Sequence, residues 1–305
     1  MDRLDSLQLF TRIVELASFS RAAAELEIPR ATATHAIKAL EARLGTRLLD
    51  RTTRQVRPTL DGQAFYERCV HVLSELEDAE SSLRHVAANP RGVLRVNMQG
   101  THARRIVLPE VDDFRMRYPD IDLVVSSGDR LVDLVREGVD CVIRAGTPRD
   151  STLVARRLAL MPQVICASPA YLARFGTPRH PDELAAHQVV KFFSNGGGVD
   201  SSLELILDSH VREFALGGWM SVDDAENYVI CALRGCGLIQ LPRFHVQDEI
   251  NDGRLVEVLS GWSCPDLPLS VLYPYHRQLS PRVRVFIDWL SRLYEKKFGH
   301  LRASS

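Results

Sequence analysis

Apolar residues near the start of the chain recur every three or four positions, the spacing of an amphipathic helix. This pattern predicts a first helix over residues 3–17. Its apolar positions are Leu4, Leu7, Leu9, Phe10, Ile13, Val14 and Leu16. The segment Ser18-Phe19-Ser20 then interrupts the pattern, and its hydroxyl groups are suited to cap a second, short helix over Arg21–Leu26.

A third helix is predicted from Arg30 to Leu44. Ile28 precedes a proline and is pushed out of the helical region, which separates the second and third helices. Gly45 is suited to end the third helix. Its inner face is predicted to carry Ala33, Ile37, Leu40 and Leu44. Two short helices joined by a three-residue turn are typical of a helix-turn-helix, and the segment Thr46–Pro58 is suited to a small β-hairpin wing.

A long helix is predicted next, capped by Thr59, running to about residue 88 and ended by Asn89-Pro90. Its apolar positions are spaced alternately by four and three residues, as in a coiled coil. They are Phe65, Cys69, Val72, Leu76, Ala79, Leu83 and Val86. Such a helix is about 40 Å long, so we expect the stripe to pair antiparallel with a second copy of the chain. The alternative is that its first positions, Phe65 and Cys69, pack on the N-terminal helices.

Strand-like and helical segments alternate from Gly92 onward. This order predicts parallel sheets with helices on both faces. The region is longer than one typical Rossmann-like unit, so we expect two α/β subdomains.

The charge of the chain is unevenly distributed. The formal net charge is −1, which by itself argues against nucleic-acid binding. From Ile28 to Pro58, however, seven basic residues face two acidic ones, whereas Asp61–Pro90 is acidic. A basic block confined to one module suggests a nucleic-acid footprint, and the alternative is a solvated charged face.

The run SFSRAAAELEIPRATATHAIKALEARLGTRLLDRTTRQVRPTLDGQAFY (Ser18–Tyr66) resembles the DNA-binding domain of LysR-type transcriptional regulators. The segments SFSRAA and RLL-R-TR fall at the spacing of that family. Pro29 departs from the family, which usually has a serine to cap the recognition helix. The missing side-chain cap is expected to cost about 1 kcal/mol, which the fixed φ of proline can offset.

The resemblance implies that residues 1–58 form a winged helix-turn-helix that binds double-stranded DNA. The first turn of a recognition helix reaches base edges in the major groove, and Arg30, Thr34 and His35 are assigned there. Other side chains position the protein on phosphates. The complete predicted DNA-binding set is Ser20, Arg30, Thr32, Thr34, His35, Lys38, Thr53 and Arg54. The alternative for each of them is a solvated helix face.

The rest of the chain resembles the effector domain of the same family, which has the fold of periplasmic solute-binding proteins. The matching segments include GVLRV, SPAYLARFGTP, GCGLIQLP and LSPRVRVFIDWL. The expected fold class is therefore α+β and multidomain, with the winged helix-turn-helix, a linker and dimerisation helix over 59–89 and an effector domain over 90–305. Its two Rossmann-like subdomains are expected at about 91–161 with 268–300 and at about 162–267. The chain is expected to cross between them near Met161-Pro162 and Pro265–Pro268.

The family pattern places a small-molecule effector in the cleft between these subdomains. Ligands of open α/β sheets bind beyond the carboxyl ends of strands. The predicted effector residues are Gly100, Thr101, His102, Ser127, Gly128, Asp129, Phe193, Ser194, Asn195, Val222 and Asp223. Hydroxyls of Thr101 and Ser127 can donate to a ligand, and free backbone N–H groups favour an anion. The aspartates, Asp224 included, have helix capping as an equal alternative, and for His102 the alternative is exposure to solvent.

Three rival functions find little support. The enzyme motifs G-x-S-x-G, G-x-x-x-x-G-K-[ST] and H-E-x-x-H do not occur, and no catalytic residue or cofactor is predicted. Cys231 and Cys236 are expected on different faces of one helix, and with His245 and Cys264 they fit no zinc spacing. The family's peroxide sensors carry cysteines in the segment matching Lys191–Ser202, which has none here. Ordinary buried cysteines are therefore expected.

These observations predict a ligand-responsive, sequence-specific DNA-binding regulator. The dimer is expected through Phe65, Cys69, Val72, Leu76 and Leu83, and the resemblance further implies a homotetramer and leaves RNA polymerase open as a partner. The N-terminus has no apolar signal segment. The longest run without a charged residue, Leu158–Ala173, is too short to span a membrane. A cytoplasmic, reduced protein without membrane contact is expected.

Overall fold

The computed structural model describes residues 1–51, 56–83, 90–128, 134, 138–147, 153–193, 198–274 and 279–299. The chain divides into two compact units, one built mainly on Met1–Gly92 and the other mainly on residues 93–305.

The first unit is a winged helix-turn-helix followed by a long helix. Its elements are α1 (Arg3–Leu16), α2 (Phe19–Glu25), α3 (Arg30–Leu44), β1 (Leu49–Arg51), β2 (Val56–Pro58) and α4 (Leu60–Leu83). Strands β1 and β2 pair antiparallel and form the wing. The three predicted helices, the wing and the long helix are all present.

Local capping sets the ends of the first three helices. Asp2 and Asp5 form a reciprocal capping box at the start of α1. The Ser18 hydroxyl accepts a hydrogen bond from the Arg21 N–H at the start of α2. Pro29 gives α3 no side-chain cap, as predicted, and Gly45 ends α3 with φ at 71°.

The core of the first unit joins these helices to the wing. Its buried side chains are Leu9, Phe10, Ile13, Phe19, Ala22, Ala23, Ala33, Ile37, Leu40, Leu48, Leu49 and Cys69. The predicted inner position Leu44 was wrong, because it is 40% exposed. It lies in the last turn of α3, immediately before the chain turns away at Gly45.

Helix α4 begins at the predicted cap and packs on the core through its first turns. The Thr59 hydroxyl accepts from the Gly62 N–H at 2.9 Å. Gly62 is required there, because a Cβ would lie 1.9 Å from the Leu48 carbonyl oxygen. Further along, Phe65 packs against Phe10 in a tilted arrangement, with ring centroids 5.5 Å apart. The predicted end of the helix, at residues 84–89, lies outside the described residues.

The second unit is an α/β structure. Its strands are β3 (Gly92–Met98), β4 (Ile121–Ser127), β5 (Cys141–Ala145), β6 (Leu153–Met161), β7 (Gln163–Ala167), β8 (Lys191–Phe193), β9 (Val199–Asp200), β10 (Ser202–Leu207), β11 (His210–Ala215), β12 (Ser221–Val222), β13 (Ile239–Pro242), β14 (Val256–Val258) and β15 (Leu267–Pro274). Its α-helices are α5 (Gly100–His102), α6 (Val111–Arg117), α7 (Pro169–Phe175), α8 (Ala225–Leu233), α9 (Gln247–Asn251) and α10 (Pro281–Phe298). A π-helical turn over Ala103–Val107 and a 3-10 turn over Leu108–Glu110 connect α5 to α6.

The sheets are mixed, which corrects the prediction of parallel sheets. A five-stranded sheet has the order β4-β3-β5-β15-β6. Strands β3 and β5 are parallel, but β15 runs antiparallel to both β5 and β6. The chain leaves this sheet after β6, forms the smaller sheets and comes back to it at β15. Strands β6 and β15 therefore run in opposite directions.

Three smaller sheets lie between β6 and β15 in the sequence. Strand β7 is flanked antiparallel by β13 and β14, β8 pairs parallel with β12, and β10 and β11 form a hairpin. The chain passes from the five-stranded sheet to β7 across Pro162 and returns between Val258 and Leu267. Among the described residues, no helix is long and apolar enough to cross a bilayer.

Candidate functional site

The exposed face of α3 carries most of the predicted DNA-contacting side chains. Arg30, Thr32, His35 and Lys38 are all exposed. Ser20, on α2, is exposed as well. The opposite face of α3 is buried in the core through Ala33, Ile37 and Leu40. The polar side chains therefore lie together on the exposed side of the helix, with Ala31 and Ala39 between them.

Thr34 differs from its neighbours on this helix. It is half-buried, and its hydroxyl donates to the Arg30 carbonyl oxygen at 3.0 Å. A hydroxyl that donates within its own helix can still accept a hydrogen bond. Thr34 is therefore available to a base edge as an acceptor.

The wing is fixed to α3 by one carboxylate. Glu41 Oε1 accepts from the backbone N–H groups of Leu48 and Leu49 at 2.9 and 3.1 Å. This contact holds the start of β1 beside α3. The predicted phosphate contacts Thr53 and Arg54 lie between β1 and β2, outside the described residues.

The predicted dimer seam divides along α4. Cys69 is 2% exposed and belongs to the core of its own chain, so its assignment to the seam was wrong and the alternative, packing on the N-terminal helices, holds. Phe65 is half-buried against that core as well. Val72 is 45% exposed and Leu76 half-buried. Leu83 ends α4, and its side chain lies outside the described part of the structure.

Two of the predicted effector segments meet at the ends of β3 and β4. The Gly128 N–H donates to the Met98 carbonyl oxygen at 3.1 Å, so Gly128 lies next to the strand that leads into Gly100. Thr101 is 3% exposed, and its hydroxyl has no hydrogen-bond partner among the described residues. Ser127 is exposed.

The other two segments meet at the ends of β8 and β12. The parallel register of Ser221 with Lys191 and of Val222 with Phe192 places Phe193 beside the segment that begins at Asp223. Phe193 and Val222 are half-buried and Asp223 is exposed.

The predicted aspartates have different outcomes. Asp224 caps α8, accepting from the N–H groups of Glu226 and Asn227, as its alternative role predicted. Asp129 lies outside the described residues. The same is true of two other predicted effector residues, Ser194 and Asn195.

An ion pair that the sequence did not predict connects these two groups of segments. Arg104 Nη2 lies 2.5 Å from Glu226 Oε1, and Arg104 Nε donates to the same oxygen at 2.6 Å. Arg104 follows α5, while Glu226 lies in the first turn of α8. Gly100 leaves space for this arginine, because a Cβ there would lie 2.9 Å from Arg104 Nη2. The sequence around Arg104 gave no signal for its partner, because Glu226 lies 122 positions away.

His102 does not face solvent, which was the alternative for it, and its Nε2 has no hydrogen-bond partner among the described residues. It is 1% exposed, its Nδ1 is hydrogen-bonded to the Tyr294 hydroxyl at 2.9 Å, and its ring lies 6.0 Å from that of His245. Burial lowers the pKa of His102 to about 3. Burial, followed by the nearby His102 and Arg105, lowers the pKa of His245 to about 3. Helix α10 covers this site, a long-range contact for which the sequence held no signal.

No group of three or more His, Cys, Asp or Glu side chains that could hold a metal ion occurs within the described parts of the chain. Cys231 and Cys236 were expected on different faces of a helix, but the Cys236 N–H donates to the Cys231 carbonyl oxygen at 3.0 Å. That expectation was wrong because α8 ends at Leu233, between the two residues.

Comparisons with known proteins agree with this architecture. Residues 4–63 match the model of the bacterial regulatory helix-turn-helix protein, lysR family, and residues 87–294 match the LysR substrate binding domain. The HTH-type transcriptional regulator YhjC of Escherichia coli, whose function is uncharacterized, is 40% identical over 95% of this chain and 97% of its own. CrgA of Neisseria meningitidis is 33% identical over 94% of this chain and 95% of its own. The CrgA crystal structure covers 96% of this chain and 99% of its own at a TM-score of 0.58 and 31% identity. This chain therefore belongs to the LysR family of helix-turn-helix transcriptional regulators.

Proposed function

We propose that this regulator reads its operator with the first turns of α3 and positions itself on the phosphates with the flanking side chains. The observation that supports this most is the exposed surface of Arg30, Thr32, His35 and Lys38 on a helix whose other face is buried. His35 and Arg30 present donors to base edges, while Lys38 is a point charge suited to phosphate. The exposed Ser20, together with Thr53 and Arg54 of the wing, adds phosphate contacts.

The effector binds, in this proposal, where the ends of β3, β4, β8 and β12 meet. Thr101 supports it, because a buried hydroxyl without a partner is costly unless a ligand or water supplies one. The residues proposed around the ligand are Gly100, Thr101, His102, Ser127, Gly128, Asp129, Phe193, Ser194, Asn195, Val222 and Asp223. His102 stays in the proposed set on the same ground: it is buried, its Nδ1 is hydrogen-bonded to Tyr294, and its Nε2 has no partner among the described residues.

The proposed assembly is a homodimer through the exposed part of α4, at Val72, Leu76 and Leu83. A homotetramer formed by the effector domains and a contact with RNA polymerase are further proposals that rest on family membership. We propose that the chain acts as a regulator without catalytic activity, in the cytoplasm.

The operator proposal is tested by selecting duplexes from a random pool with the full-length protein. His35→Ala is expected to relax the preference at particular base pairs, by about 1–3 kcal/mol at each. Lys38→Ala is expected to weaken all duplexes alike, because a phosphate contact carries no base information. Wild-type affinity and selectivity in both variants would show that α3 is not the reading helix.

The effector proposal is tested with Thr101→Val, which keeps the side-chain shape and removes the hydroxyl. A panel of small carboxylates is screened against the wild-type protein by thermal shift, because free backbone N–H groups favour anions. The ligand found is then titrated into both proteins by calorimetry. Thr101→Val is expected to lose about 1 kcal/mol or more of binding energy while keeping DNA binding without ligand. Unchanged ligand affinity would remove Thr101 from the site.

A further inference from the structure

The C-terminal end of α8 has the geometry of a Schellman motif. The N–H of Gly235 donates to the Ala232 carbonyl at 2.9 Å, and the N–H of Cys236 donates to the Cys231 carbonyl at 3.0 Å. Gly235 has the left-handed φ of 79° that this motif requires. In this motif the side chain after the glycine returns to contact the helix residue five positions earlier.

Both residues at this contact are cysteines. Cys231 belongs to the buried cluster beneath α8, and Cys236 packs against the same cluster. The Cys236 side chain is near enough to help raise the pKa of Cys231. Cys231 is 8% exposed, whereas Cys236 is half-buried and reachable from solvent. The backbone therefore holds a buried thiol and an accessible thiol close to each other.

The loop that carries Cys236 is held firmly in place. Leu238 and Gln188 are joined by a backbone hydrogen bond of 2.8 Å. A Cβ at Gly237 would lie 2.8 Å from the Gln188 carbonyl oxygen. This close packing fixes the turn, and with it the position of Cys236 beside the end of α8.

We propose that Cys231 and Cys236 form a dithiol pair that a hydroperoxide converts to an intrachain disulfide. This modification site goes beyond the operator and effector sites proposed above. It lies at the C-terminal end of the helix whose first turn follows Val222 and Asp223.

The chemistry needs one hydroperoxide for each disulfide. The thiolate of the more accessible Cys236 attacks one oxygen of the peroxide, which gives a sulfenic acid on Cys236 and releases an alcohol or water. The Cys231 sulfur then attacks the Cys236 sulfur, the S–S bond forms and water leaves. The two electrons that reduce the peroxide come from the two thiols.

The roles of the two cysteines follow from their surroundings. Burial, followed by the nearby Cys236 side chain, raises the pKa of Cys231. Cys231 is therefore the resolving cysteine and not the first nucleophile. Burial raises the pKa of Cys69 to about 11 and, with nearby charges, those of Cys166 and Cys264 to about 12. These three thiols are expected to react more slowly.

Peptide mapping tests the proposal on the full chain. The reduced protein is treated with a molar excess of hydrogen peroxide, alkylated with N-ethylmaleimide under denaturing conditions and digested with trypsin. Arg234 lies between the two cysteines, so the disulfide links the tryptic peptides 213–234 and 235–243. We expect this linked pair, on protein of monomer mass in a non-reducing gel, with two of the six cysteines lost to alkylation and regained with dithiothreitol.

Two variants make the result specific. Cys236→Ser is expected to abolish the link, whereas Cys264→Ser, the matched control, is expected to keep it. The proposal is overturned if peroxide leaves both cysteines open to alkylation, if it drives Cys236 to sulfinic acid without a link, or if the linked peptides come only from covalent dimers.

Discussion

The buried histidines connect the stability of the second unit to pH. Three of the four ring nitrogens of His102 and His245 have no hydrogen-bond partner among the described residues, and Tyr294 binds the fourth. The rings also contact Phe244, at 5.2 Å from His102 and 4.2 Å from His245. Both histidines are therefore held neutral in the folded protein, because a charged ring would be buried without a counter-charge in contact.

Stability is expected to fall as the pH falls below about 6.5, where free histidine begins to bind a proton. The folded-state pKa is about 3 for both rings, so between these values the unfolded chain holds more protons and acid favours it. Between pH 7 and 5.5 each histidine is expected to cost about 1 kcal/mol. Urea unfolding of the full chain, followed by the fluorescence of Trp219, Trp262 and Trp289, measures this loss in the second unit.

His245→Leu separates the histidine effect from general acid destabilisation. The variant removes one of the two buried rings that must stay neutral, so its loss between pH 7 and 5.5 is expected to be smaller by about 1 kcal/mol. A loss equal to that of the wild-type protein would show that His245 does not contribute to the pH dependence.

At the scale of elements, α4 has two parts: its first turns pack on the core of its own chain, and a later part exposes an apolar side chain. Its first turns pack on α1, where Tyr66 donates to Glu15 Oε1 at 3.1 Å and Cys69 is buried. Further along, Val72 is 45% exposed. An apolar stripe that leaves its own core part-way along a helix is suited to pair with a second copy.

Leu76→Arg tests that pairing. The substitution places a charge without a counter-charge in an apolar helix pair, at an expected cost of several kcal/mol. We expect monomers by light scattering and loss of tight binding to an operator with two half-sites. Gln63→Arg, an exposed position at the start of α4, is the matched control and should remain dimeric. A dimeric Leu76→Arg protein would mean that this part of α4 packs within one chain.

At the scale of the whole molecule, charge is separated along the chain. The net charge is −1, yet the segment Ile28–Pro58 carries seven basic and two acidic residues. The electrostatic attraction to DNA therefore comes from one module, while the rest of the chain offsets its charge.

DNA binding is expected to depend steeply on salt despite the near-neutral chain. Each basic side chain that neutralises a phosphate adds about 0.9 to the slope of log affinity against log salt. A dimer that places about six such side chains on the duplex should lose about 10³-fold in affinity between about 50 and 200 mM salt. Fluorescence anisotropy with a selected duplex measures the slope, and Lys38→Ala should lower it by about 0.9 for each chain. A slope near zero would contradict an electrostatic interface.

The sequence by itself determined the features that depend on near neighbours. The spacing of apolar residues, the Ser18 and Thr59 caps and the turn at Gly45 act over a few residues, so the helices and the wing of the first unit could be predicted closely. The family motifs extended this to the effector domain and to four segments of its candidate site. The Schellman motif at the end of α8 could also be predicted, because Gly235, directly before Cys236, favours the end of a helix that contains Cys231.

Only the tertiary structure decided features that depend on contacts distant in sequence. Strand direction in the sheets follows from how the chain crosses between them, which alternation of helices and strands does not encode. The sequence left Cys69 either in the seam or against the N-terminal helices, and the packed core decided for the helices. His102 is buried where Tyr294, 192 positions later, covers it. The Arg104–Glu226 ion pair joins residues 122 positions apart. Burial and pairing of this kind are properties of the packed chain, so no local pattern could reveal them.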